Sequence, residues 1–131
     1  MKRILLCDDD HLMRETMGTY LSWYGFEVDG ANQYFEVLSR LNKVPYDLLI
    51  CNVWQKFLDG FELCNILRHS REMRIRNLPV LMISPEPLDH EDYKFLRERN
   101  VYFMMKYKSP DKWYEEIMAI FGQEISGVVK G

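Results

Sequence analysis

The chain has 131 residues, 47% of them apolar and 28% charged, which suits one globular domain around one sizeable core and leaves no room for a second. A net charge of −3 gives no bulk electrostatic reason to expect nucleic acid or an anionic membrane as partner, and the apolar run after Lys2-Arg3 is too short for a signal peptide or a membrane span. Cys7, Cys51 and Cys64 lack metal-ligand spacing, so the expectation is reduced, buried thiols in a cytoplasmic protein.

Short apolar runs alternate with segments of helical period along the whole chain, the pattern of β-α units around a parallel sheet. Ile4 to Cys7 is the first strand. Met13, Met17, Tyr20, Leu21 and Tyr24 line one face of a helix, which Gly25 is placed to close in the left-handed conformation. Phe26 to Val28 predicts a short second strand, and Asn32 is positioned to cap the next helix, with Tyr34, Val37, Leu38 and Leu41 inside and Pro45 beyond its end. Leu48 to Cys51 is the third strand. After Gly60 a helix buries Leu63, Ile66 and Leu67, and the basic stretch from Arg68 to Asn77 finishes it and loops back. Val80 to Ile83 is strand four. A helix over Asp89 to Arg99 has only Tyr93, Phe95 and Leu96 to bury, and is expected to be the most mobile. Asn100 can take the left-handed terminator's place before strand five, Val101 to Met105. Ser109-Pro110 reads as an N-cap and first helical residue, with Trp113, Ile117, Ile120 and Phe121 as the last apolar stripe. The domain is expected to span residues 1–122, with a flexible tail over 123–131.

Ligands of open α/β sheets sit beyond the carboxyl ends of the strands, where strand order reverses. There this chain places Asp8, Asp9 and Asp10 after strand one, Asn52 at the end of strand three, Ser84 after strand four and Lys106 after strand five. Each alone is an ordinary polar strand end. Together, acid, amide, hydroxyl and ammonium in this order form a candidate site.

These residues give the chain, to about residue 122, a strong resemblance to the receiver domain of two-component response regulators, of the chemotaxis type. The resemblance implies a (βα)5, flavodoxin-like α/β fold with a doubly wound five-stranded parallel sheet in the order 2-1-3-4-5. In that family two acids hold Mg²⁺, an aspartate ending strand three takes a phosphoryl group, and a hydroxyl and a lysine contact that group. By position these roles fall on Asp8 and Asp9, Asn52, Ser84 and Lys106, with Phe103 as the aromatic switch residue and the Trp54 carbonyl as a further metal contact. Asn52 breaks the pattern. Its amide is neutral and its lone pair is delocalised, so it cannot attack phosphorus or form an acyl phosphate. One carboxylate fewer also weakens Mg²⁺ binding. No cofactor is expected beyond weak Mg²⁺ at Asp8, Asp9 and Trp54.

Neighbouring positions depart from the family as well. Gln55-Lys56 replaces the usual Met-Pro, Pro85 the small residue after the hydroxyl, and Tyr107 the proline after the lysine. A cis bond before a non-proline residue costs about 3 kcal/mol, so the Lys106-Tyr107 bond is expected to be trans. Without metal or phosphate, Asp8 and Asp9 need a cation, and Lys106 and Lys56 are the candidates.

The reading is therefore a non-enzymatic pseudo-receiver, switched by contact with a protein partner: a sensor kinase, a phosphotransfer protein or a downstream effector, a homodimer being compatible. Trp54, Phe57, Tyr107 and Trp113 are candidate surface aromatics, and the fourth helix with strand five and the last helix, or the first helix, is the candidate face. One alternative is a conventional phosphoacceptor receiver carrying an engineered Asp-to-Asn change. Another is a haloacid-dehalogenase-like phosphatase using Asp8-x-Asp10, Ser84 and Lys106, although Leu12 stands where that family has Thr or Val. A flavodoxin-like FMN role fits worse, since the loop after strand one is acidic. His11, His69 and His90 have no metal-ligand spacing.

Overall fold

Alternation of side chains along each strand decides which layer it feeds. In the computed structural model, which describes residues 1–53 and 59–126, five parallel strands form one sheet in the order β2-β1-β3-β4-β5. They are β1 (Arg3–Cys7), β2 (Glu27–Ala31), β3 (Leu48–Asn52), β4 (Val80–Ser84) and β5 (Tyr102–Met105). Leu5, Cys7, Leu49, Cys51, Val80 and Met82 face one layer, where α2 (Tyr34–Lys43), α3 (Gly60–Arg68) and α5 (His90–Glu98) contribute Val37, Leu41, Leu63, Leu67 and Leu96. Ile4, Leu6, Leu48, Ile50, Leu81 and Ile83 face the other, under α1 (His11–Trp23) and α6 (Pro110–Ser126). Order reverses between β1 and β3, so the crevice of a doubly wound sheet opens where Cys7 pairs with Cys51 and both strands end.

Most expected terminators stand in place: Gly25 at φ +99° and Asn100 at φ +55° close their helices. Asp10, Asp59 and Asp89 cap α1, α3 and α5 by accepting from the backbone N–H three residues on. The apolar stripe Trp113, Ile117, Ile120 and Phe121 is buried. No peptide bond among the described residues is cis, Lys106-Tyr107 included.

Several expectations fail for physical reasons. Strand two runs to Ala31, because Asp29, Gly30 and Ala31 pair with Leu5, Leu6 and Cys7, and the ladder outweighs their poor strand propensity. Asn32 does not cap α2; extended Gln33 does, without a side-chain hydrogen bond. Ile66 is 45% exposed, since Leu63, Cys64 and Leu67 already fill the inward arc of α3. Trp113 is only 4% exposed and is no surface aromatic, whereas Tyr107 is 68% exposed. The stretch expected to be a basic loop holds a further turn, α4 (Met73–Arg76), pinned by buried Ile75. Trp54, Lys56 and Phe57 lie outside the described residues.

Burial pushes the thiols of Cys7 and Cys64 up to about 12 and 11, and Cys51 well above its ordinary value. They are inert packing groups at neutral pH.

Gly60 carries a steric requirement. Its N–H donates to the Val53 carbonyl at 2.7 Å, and a Cβ there would stand 1.9 Å from the Met82 methyl and 3.1 Å from the Val53 backbone. The methyl can move, but the backbone cannot. Gly60→Ala is expected to destabilise the domain by about 1–3 kcal/mol through overpacking. Chemical denaturation checks this; a change below about 0.5 kcal/mol, the usual scatter of neutral surface substitutions, would show that the crevice accommodates the methyl.

Candidate functional site

Among the described residues, the buried aliphatic polar and charged side chains are Asp8, Asn52, Ser84 and Lys106. All four stand at carboxyl ends of strands, around one crevice. Buried polar groups are costly unless satisfied, so this clustering marks the site better than any single residue does.

The three consecutive acids after β1 do different things. Asp8 is fully buried; its Oδ1 accepts from the Asp10 N–H at 2.9 Å and its Oδ2 lies 2.8 Å from Lys106 Nζ. Asp9 is exposed. Asp10 caps α1 through the Met13 N–H, and its Oδ2 is 4.0 Å from Lys106 Nζ. Burial pushes the Asp8 carboxyl above the ordinary carboxylate range, against the opposing pull of Lys106 and the Asp10 N–H.

Lys106 is held at three points. Its N–H donates to the Ser84 carbonyl at 2.7 Å, its ammonium reaches Asp8, and its carbonyl accepts from the Trp113 indole N–H at 3.3 Å. Ser84 lies in the crevice wall, with its Oγ accepting from the Glu86 N–H at 3.2 Å. Asn52 is 7% exposed, and its carbonyl accepts from the Tyr34 hydroxyl at 2.7 Å. Phe103 sits outside this cluster, half-buried and edge-on to Tyr93 with ring centroids 5.3 Å apart. Lys56 and Trp54 lie outside the described residues.

Sequence reasoning missed two supports of the site. Arg14 on α1 donates to the Asp8 carbonyl at 2.6 Å, and its stem crosses Gly30 of β2, where a Cβ would stand 3.2 Å from Arg14 Cδ. Tyr34 was legible as core, but not as the residue that holds the Asn52 backbone. A basic residue in a helix's first turn ordinarily reads as solvated, and only the bare edge at Gly30 hinted otherwise.

The donor set does not suit Mg²⁺ as it stands. A hard divalent cation wants several anionic oxygens. Here one carboxylate is occupied by an ammonium, the second is turned out, and the third position is a neutral amide. Among the described residues no group of three His, Cys, Asp or Glu side chains is placed to hold a metal. At the end of β3 the crevice carries the neutral amide of Asn52, which is not an anionic nucleophile.

A family model described as the response regulator receiver domain matches residues 4–117. Among curated proteins, the chain is 34% identical over 84 residues to a transcriptional regulatory protein CpxR homolog of Haemophilus influenzae, covering 64% of this chain and 34% of that protein. It is 35% identical over 82 residues to response regulator MprA of Mycobacterium leprae, covering 63% and 34%. The chain thus spans about a third of the length of the curated relatives it matches. Among solved structures, chemotaxis response regulator CheY4 of Vibrio cholerae superposes with a TM-score of 0.82 at 22% identity, over 92% of this chain and 98% of that one. TrrA of Thermotoga maritima, solved in complex with Mg(2+)-BeF, gives 0.78 at 22% identity, over 92% and 99%. At these identities the structural likeness establishes the fold, the flavodoxin-like sheet order 2-1-3-4-5.

Proposed function

This chain belongs to the response regulator receiver family, and from that premise we propose that it is a pseudo-receiver, a signalling module that works without accepting a phosphoryl group. The reading is supported by Asn52, a buried neutral amide that we assign to the family's acceptor position, beside an acid that already has Lys106 as its counter-ion at 2.8 Å. The ammonium takes the electrostatic place of a metal, so Mg²⁺ binding is weak at best. The domain is non-enzymatic and cytoplasmic. Among the described residues no helix is long and apolar enough to cross a membrane.

Without phosphate, the balance between two conformations shifts only through a ligand that binds them differently. That ligand is a protein: a kinase, a phosphotransfer protein or an effector. Two faces suit it. One is formed by α5, β5 and α6, with Tyr93 at 38% exposure beside Phe103. The other is α1, where Leu12, Tyr20 and Trp23 are 74%, 36% and 75% exposed along one helical stripe, the spacing at which helices pack on helices.

Intact-mass spectrometry after incubation with acetyl phosphate and Mg²⁺ is expected to give an unchanged mass. An adduct of one phosphate, labile to hydroxylamine, would falsify the proposal and return the chain to ordinary phosphorelay chemistry.

A further inference from the structure

The outer face of α2 has the relief that a second helix packs on. Tyr34, Val37 and Leu41 turn inward and are buried, which leaves the rows Phe35-Ser39-Lys43 and Glu36-Arg40-Val44 running side by side at four-residue spacing. These six residues line an open groove of about 410 Å³, about 14 Å long at the helical rise per residue. Rows spaced by four residues are the ridges with which another helix interlocks. Ser39, a small side chain midway between Phe35 and Lys43, leaves room there for one bulky residue of an incoming helix. Phe35 is 64% exposed, and among the described residues every wall of the groove belongs to α2 or its C-cap.

Charge around the C-terminal half of the groove reverses that of the whole molecule. Residues 39–43 and 70–76 hold five cations, Arg40, Lys43, Arg71, Arg74 and Arg76, against one acid, Glu72, in a chain of net charge −3. Arg74 fastens the two stretches together by donating to the carbonyls of Leu41 at 2.8 Å and Val44 at 3.2 Å. Lys43, Arg71 and Arg74 are exposed, and none of them forms a salt bridge among the described residues.

We infer that the α2 groove docks an acidic amphipathic helix of a partner protein, which seats one bulky apolar side chain over Ser39 against the Phe35 ring and sets its carboxylates on Lys43 and Arg74. An apolar wall that ends in cations without counter-ions is complementary to such a helix in both shape and sign. A nucleic-acid strand would find the same cations, but Glu36 in the wall repels a continuous phosphate backbone, whereas a helix can keep its acids to the cationic end. The surface is distinct from the α1 and α5-β5-α6 faces. It rests on the reading of the chain as a protein-binding module only in taking a protein as the partner, and it holds whether or not the domain accepts phosphate.

The test is selection of random peptides of about twelve residues, roughly three helical turns, displayed on phage against the intact chain, with the enriched sequences resynthesised and titrated by fluorescence anisotropy. Enriched peptides are expected to be acidic, with one bulky apolar residue, and to bind more weakly at about 1 M salt, where screening acts within ~3 Å. Phe35→Asp is expected to weaken them at least about tenfold, as loss of a central anchor does, and Lys43→Glu likewise, with affinity regained by a peptide whose facing acid is exchanged for lysine. Both substitutions are at exposed positions, and circular dichroism confirms the fold. Trp23→Ala, on α1, is expected to change nothing. The inference is overturned if no enriched peptide responds to Phe35→Asp or Lys43→Glu, or if those that respond are basic or uncharged. It is equally overturned if a random single-stranded DNA binds the same residues more tightly than any peptide, or if the chain alone forms a dimer that Phe35→Asp dissociates, which would give the groove to a second copy. A failed selection leaves the result with acetyl phosphate unchanged, and a phosphorylated chain leaves the groove unchanged, so the two proposals fail separately.

Discussion

Lys106→Met is expected to lower the unfolding free energy by about 3–5 kcal/mol at neutral pH, the cost of leaving a buried carboxylate without its counter-ion. Asp8 has no exposed surface and Lys106 has 3%, so water cannot replace the lost ammonium. The deficit carries a pH signature. Burial already holds the Asp8 carboxyl above the ordinary carboxylate range, and removal of Lys106 takes away the main opposing influence. The folded variant then binds the Asp8 proton more tightly than the unfolded chain does. Its stability falls as pH climbs from the ordinary carboxylate range through the raised value, so the deficit against wild type is smallest in acid and grows toward neutrality. Joining Asp8→Asn to Lys106→Met removes both charges and is expected to recover most of the loss, since buried pairs are often replaceable by neutral groups at little cost. Urea unfolding of the four proteins across pH 4 to 8 gives the cycle. A single-variant loss under about 1 kcal/mol, the range of exposed ion pairs, would mean that the pair is not the closed contact described here.

The second large effect lies at the opposite end of the sheet. Arg68 at the end of α3 donates to the carbonyls of Arg99 at 2.8 Å, Arg76 at 3.1 Å, Leu78 at 2.8 Å and Asn100 at 3.3 Å. One planar fork thus ties α3 to the turn entering β4 and to the corner entering β5. Arg99 reinforces that corner, stacking at 3.5 Å over Phe95 and donating to the Asn65 side chain at 2.7 Å. Arg68→Met keeps the stem and removes every donor. Charged hydrogen bonds contribute about 1.5–3 kcal/mol each, and water can reach part of this half-buried site, so a loss of about 3 kcal/mol is expected. Lysine, with one compact ammonium, should recover less than half of it. Denaturation of both variants checks the ranking; Arg68→Lys matching wild type would show that charge near the carbonyls suffices and the fork does not matter.

Arg68 also shows where sequence reading stopped. In the stretch from Arg68 to Asn77 the charges dominate, and a solvated basic loop is the natural inference. The chain instead folds a short turn onto buried Ile75, and the arginines cap carbonyls: Arg74 reaches Leu41 and Val44, and Arg76 reaches Ser70. Such contacts join a side chain to backbone oxygens far away in sequence and leave no periodicity behind. The end of strand two was misjudged for a related reason. Its residues favour a turn, and only the partner ladder along β1 holds them extended.

By itself the sequence determined the alternation of strands and helices, the two apolar layers and the chemical identity of the strand ends, because periodicity and residue type act locally and are written in order along the chain. That strand three ends on an amide, Asn52, is likewise a fact of the sequence. Tertiary structure alone decided that Asp8 is closed by Lys106 while Asp9 faces solvent, that Arg14 and Tyr34 brace the loop and the strand end, and that Lys106 reaches both the pocket and Trp113. These outcomes depend on which side chains the sheet order brings within about 3 Å of one another, where buried charge and hydrogen-bond geometry settle the pairing.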